Sequence, residues 1–194
     1  MPVEGHDIYF HLRIIMGLVV GLALTRMLSG VAKFITHRDR EHLYAGHLIW
    51  IATMILMAIH FWWFEYGLVR IQPWTFDLFV FVLFYAFLFF LLAVILLPDD
   101  IDGYEDYREY FMSRRQWFFG LLALTVPVDL IDTLAKGPEY YRSYGPEYPV
   151  RLVGLLVLCA VGAWSRKLKV QTWMAALCLA YFVSWILRSY RILE

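Results

Sequence analysis

Twenty consecutive residues, Leu78 to Leu97, carry no charged side chain. An α-helix needs ~20 apolar residues to cross the hydrocarbon core of a bilayer, and a helix satisfies its own backbone polar groups there without water. The stretch therefore predicts a transmembrane helix over 74–97. Five further apolar segments repeat the pattern at about 14–32, 48–69, 117–134, 150–164 and 170–187. The weakest is 150–164, whose uninterrupted core from Leu152 to Trp164 has thirteen residues, fewer than a span requires. The expected fold class is all-α: a polytopic membrane helical bundle forming one domain over 1–194, with about six transmembrane helices and a short interfacial helix near 101–113.

Composition agrees with lipid as the solvent. The chain is 61% hydrophobic and only 18% charged, more apolar surface than a soluble domain of this length buries. Its net charge is zero, so nothing in the charge balance suggests nucleic acid as a partner. Cys159 and Cys178 both lie in apolar runs, where a thiol behaves as a small hydrophobe rather than as half of a disulfide framework. The first residues carry no basic region ahead of a short apolar core, so the first span is expected to stay in the mature protein.

Orientation follows the distribution of Lys and Arg. Lys33, Arg38, Arg40, Arg108, Arg114, Arg115, Arg166, Lys167 and Lys169 fall on one side of a six-span bundle. Arg13, Arg70, Lys136, Arg142, Arg151, Arg188 and Arg191 fall on the other. Nine against seven puts the amino terminus outside, in a plasma or inner cell membrane. The fourth connection contains GPEY twice, from Gly137 and from Gly145, which reads as two successive turns.

The longest polar interruption is Pro98 to Gln116. With Gly103 at the sixth position of a calcium loop, Asp100, Asp102, Asp106 and Glu109 fall on ligand positions, but Pro98 stands where the first ligand belongs. An amphipathic helix fits better, because Tyr104, Tyr107 and Phe111 share a face opposite Glu105, Asp106 and Glu109. Residues 101–115 are then the cytoplasmic surface on which a protein partner would dock.

Two sets of residues stand out inside the spans. Gly17, Gly21, Thr25 and Ser29 recur every four residues, a small-residue stripe for close helix packing within the bundle or in a homo-oligomer. Arg26, His60, Glu65, Asp129 and Asp132 are ionisable groups in apolar segments, which are functional candidates because charge in hydrocarbon is costly. Glu65, Asp77, Asp129 and Asp132 are expected to form an electronegative outer vestibule. No cofactor is expected. His60 is a weak haem ligand candidate, since His47 is thirteen residues away and ~140° around the axis.

No phosphate loop, zinc-protease signature or nucleophile elbow is present, and an enzyme is not the favoured reading. The first functional expectation is an oligomeric cation or proton channel, or a small-solute transporter. The alternative is a non-catalytic sensor or assembly protein, and a lipid-modifying or haem redox enzyme comes last.

Overall fold

The computed structural model describes residues 5–36, 44–99, 101 and 103–189. Among these residues the chain is entirely helical in its regular structure, with α1 (Gly5–Thr36), α2 (Ala45–Phe64), α3 (Phe76–Leu96), α4 (Tyr107–Ala135), α5 (Pro138–Ser143), α6 (Glu147–Trp164) and α7 (Leu168–Ser189). A 3₁₀ segment, Glu65–Arg70, extends α2. Six of these helices are long and apolar enough to cross a membrane, and the protein is a multi-pass membrane protein of all-α fold.

Helix α3 is 21 residues long, ~31 Å at 1.5 Å per residue, which matches the hydrocarbon thickness of ~30 Å. Thr75 caps its start by accepting the Leu78 N–H at 3.3 Å. By contrast α1 has 32 residues, so about a third of its length exceeds what the hydrocarbon core needs. The short apolar core at 152–164 becomes an 18-residue helix because α6 starts at Glu147. Each Gly-Pro pair explains such a start: Gly137 and Gly145 take positive φ values of 112° and 63°, which end one helical path, and a new helix begins directly afterwards.

The short seventh helix lies at Pro138–Ser143 and not at 101–113. Tyr107 to Ser113 instead form the first turns of α4, which runs unbroken to Ala135 and through Pro127. The acidic residues account for this. Asp106 is the N-cap and accepts the Glu109 N–H at 2.7 Å, while Glu109 accepts the Glu105 N–H at 2.8 Å, so both orphan donors are satisfied. Tyr107, Tyr110 and Phe111 are buried in the bundle. Asp100 and Asp102, two of the calcium-loop positions, lie outside the described residues.

Helices α1, α3, α4 and α6 pack side by side in that order. Across them lies α2, touching α1, α3 and α4, with α7 against α2 and, at its edge, α6. The core is aromatic: Phe61 meets Tyr85 and Phe89 at 4.6 and 4.9 Å between ring centroids, and Trp50 meets Phe118 at 5.1 Å. Within the chain, only Gly17 of the small-residue stripe of α1 makes a close contact. Gly17 sits against Trp62, Gly21 faces open space, and Thr25 and Ser29 are exposed. Leu12, Met16, Val20, Ala23 and Met27 form the buried stripe. Larger side chains interdigitate over more area than a row of glycines provides.

Glycine also makes room for close packing between α6 and α4, where a Cβ on Gly162 would overlap the buried Phe119 ring. Gly162→Ala is expected to destabilise the bundle by about 1–3 kcal/mol through overpacking. Gly21→Ala should leave the melting temperature unchanged or raise it. Thermal unfolding in detergent distinguishes the two variants.

Candidate functional site

Three ionisable residues lie at the carboxyl-terminal end of α4. Asp129, Asp132 and Lys136 follow spacings of three and four, which bring them to one side of the helix. Two polar clusters result.

In the first, the Lys136 ammonium donates to Asp132 Oδ2 and lies 3.1 Å from Glu65 Oε2. It also donates to the Phe64 carbonyl at 3.3 Å and sits 3.8 Å from the centre of the Phe64 ring. All three ionic side chains have zero exposure. Glu65 closes α2 and opens the 3₁₀ segment, so the triad joins that helix end to α4. With every group ionised it carries one excess negative charge. Glu65 Oε1 and Asp132 Oδ1 find no hydrogen-bond donor among the described residues.

The second cluster centres on Asp129. Tyr85 donates to its Oδ1 at 3.1 Å, Tyr148 donates to Oδ2 at 2.8 Å, and Arg151 reaches Oδ2 at 3.4 Å. Thr133 Oγ1 is 2.8 Å from the Tyr148 hydroxyl. The Arg151 guanidinium lies over the Trp185 ring at 4.6 Å, a cation–π contact that helps hold it. Helices α3, α4 and α6 each contribute a hydrogen-bonding group, and α7 contributes the indole.

Below this cluster lies a cavity of about 350 Å³ between α2, α3, α4, α6 and α7. Met57, Phe61, Phe89, Val126, Leu155 and Phe182 give it apolar walls, and His60, Tyr85, Thr125, Asp129, Arg151 and Tyr181 are among its polar lining groups. His60 stacks 6.0 Å from Phe64 and meets Phe182 edge-on at 5.2 Å. Its volume and lining are those of a small-molecule site.

The five candidates from the sequence do not converge. Asp129 and His60 share the cavity, and Glu65 and Asp132 share Lys136. Arg26 is at the opposite end of the bundle, donating from Nε to the Leu97 carbonyl at 2.8 Å and pairing with Asp99 at 3.1 Å. Nor is there an open acidic vestibule at Glu65 and Asp132, because both carboxylates close around the ammonium; Asp77 stays apart in the first turn of α3. His47 is buried against Phe34, Tyr107 and Phe111, away from His60. Cys159 and Cys178 are free, buried thiols.

Sequence reasoning missed Lys136, Arg151 and Tyr148 as site residues. Hydropathy placed all three in the connection or at its edge, since a charged residue lowers the score of the window that contains it. The i, i+4 pairing of Asp132 with Lys136 was the available signal. The chain matches no protein-family model, no curated protein and no solved structure.

Removing the shared cation leaves two buried carboxylates unpaired. Lys136→Met is expected to cost about 3–5 kcal/mol, seen as lost folding yield or a large fall in melting temperature. Glu65→Gln removes the excess negative charge and should be tolerated far better. Equal losses for the two variants would contradict this account of the triad.

Proposed function

We propose that this multi-pass membrane protein binds a small uncharged amphiphile in the 350 Å³ cavity, as the binding step of a carrier or sensor for a membrane-dissolved solute. The observation that carries the reading is the cavity's polarity: apolar walls with one polar end. Asp129 and Arg151 are each other's counter-ions at that end. A charged headgroup would upset that balance in a region of low dielectric, whereas an alcohol or amide adds only hydrogen bonds.

Access supports the same reading. Val150, Leu177 and Tyr181 line the cavity and are also 70%, 67% and 37% exposed. Between them, an added Cβ on Gly154 would meet no atom within 4 Å. The gap between α6 and α7 thus opens sideways, toward lipid. Across one end of it the Glu147 carboxylate bridges to Arg188 at 2.6 and 2.7 Å and accepts from Tyr181 at 3.1 Å. At the other end the two helices join through the short turn at Ser165–Lys167.

Ion conduction has less support, because the carboxylates meant to concentrate the ion are occupied by Lys136 and Arg151. The proposal keeps the amino terminus outside. Among the described residues, Lys33, Arg108, Arg114, Arg115, Arg166, Lys167 and Lys169 gather at the opposite end, against Arg13, Arg70, Lys136, Arg142, Arg151 and Arg188 at the amino-terminal end, a bias that supports a cytoplasmic side at the former; Arg38, Arg40 and Arg191 lie outside the described residues.

A diazirine-bearing long-chain alcohol in proteoliposomes is the direct probe. Crosslinks are expected on α6, α7 and the cavity face of α4, and Gly154→Trp should reduce them about tenfold or more by filling the mouth. Asp129→Asn should reduce labelling while keeping the fold. Labelling unchanged by either variant, or stronger with the corresponding fatty acid, would refute the reading. For orientation, a cysteine at Ser165 should react with a membrane-impermeant maleimide only from the cytoplasmic side of spheroplasts and inverted vesicles.

A further inference from the structure

We propose a second binding site, for the headgroup of an anionic phospholipid, in the recess that Arg26, Arg114 and Trp117 form at the end of α3. It is independent of the cavity described above and lies at the other end of the bundle.

The depth of the recess comes from α3. After 21 apolar-segment residues this helix ends at Leu96, and Pro98 and Asp99 follow. Because Arg26 Nε donates to the Leu97 carbonyl, its guanidinium stands at the level where hydrocarbon gives way to headgroups. Arg26 therefore occupies a boundary position, although ten residues of α1 still follow it.

The recess has a volume of about 490 Å³. Its deeper wall is apolar, from Val94, Ile95 and Trp117, and its upper part holds Arg26, Asp99, Tyr104 and Arg114. Trp117 is 68% exposed and lies one turn deeper along α4 than Arg114, the placement of an interfacial tryptophan. Acyl chains can follow the apolar wall while the phosphate stays with the guanidiniums.

Charge selects the sign of the ligand. Arg26 pairs with Asp99, whose side chain is 89% exposed, and an ion pair so open to solvent contributes little. Arg114 has no acidic partner among the described residues. Among the described lining residues two guanidiniums stand against one exposed carboxylate, and guanidinium forks suit phosphate oxygens in paired hydrogen bonds. Basic recesses between transmembrane helices at this level are where anionic headgroups bind. A membrane lipid is the source, in preference to soluble phosphate, because the recess continues into the apolar flank of α3 and α4.

The test is native mass spectrometry of the delipidated full chain, offered dioleoylphosphatidylglycerol or dioleoylphosphatidylcholine. The anionic phosphatidylglycerol should be retained preferentially. Retention should fall about fivefold for each guanidinium removed in Arg26→Gln and Arg114→Gln, and Arg114→Lys should recover part of it. Gly154→Trp, which blocks the separate cavity, should not alter retention. Arg114 is exposed, so Arg114→Gln alone keeps the test open if the Arg26 variant fails to fold. Equal retention of the two lipids by the unmodified chain, or preference unaffected by Arg114→Gln, would overturn the proposal. Displacement of the lipid by inorganic phosphate would assign the recess to a soluble anion instead.

Discussion

A single ammonium group, Lys136 Nζ, ties together the end of the bundle that carries most of the polar chemistry. It meets Asp132 one turn earlier on its own helix, Glu65 and the Phe64 carbonyl at the end of α2, and the Phe64 ring. Buried charges are tolerated only when paired and hydrogen-bonded. The ends of α2 and α4 therefore cannot separate without exposing uncompensated charge to an apolar surrounding. Tyr140 of α5 also reaches the Phe64 carbonyl, at 3.4 Å, so the short helix is attached to the same junction.

With that junction closed, the neighbouring polar groups acquire a different character. Asp129 is one turn deeper on α4, and its partners come from α3 and α6. Its carboxylate faces a cavity, whereas that of Asp132 faces a cation. The contrast arises from packing: α2 packs extensively on α7 and α4 on α6, while α6 and α7 touch far less, with Gln171 donating to the Gly162 carbonyl beside their turn. Two firm pairs joined by a loose seam leave room between them, and Glu147 with Arg188 spans the seam at the end away from the turn.

Polarity is also divided along the bundle axis. One end holds the triad and the Asp129 network; the other holds Arg26, Arg114 and the basic turns. At the basic end Arg26 and Arg114 lie at the rim of the apolar layer and keep partial access to solvent, so they need less compensation than Lys136. The excess length of α1 follows from this arrangement, since Arg26 marks the end of α3 and α1 continues past it.

The architecture was legible in the sequence because hydrocarbon thickness is a length criterion that each segment meets by itself. Leu78 to Leu97 needed no partner to be read as a span, and Gly-Pro at 137 and 145 marked turns through local backbone chemistry. The amphipathic pattern from Tyr104 to Phe111 misled, since the same spacing serves a helix at an interface and the buried first turns of a longer helix. Site membership was only half legible. Asp129 and Asp132 were visible as charges in an apolar run, but whether each faced a cavity, a lysine or solvent depended on α2, α3 and α6. Intramembrane charge is recognisable from one segment, because its cost is local. Its partner is decided only by the tertiary structure, because Glu65 and Lys136 are 71 residues apart and meet only when α2 and α4 pack.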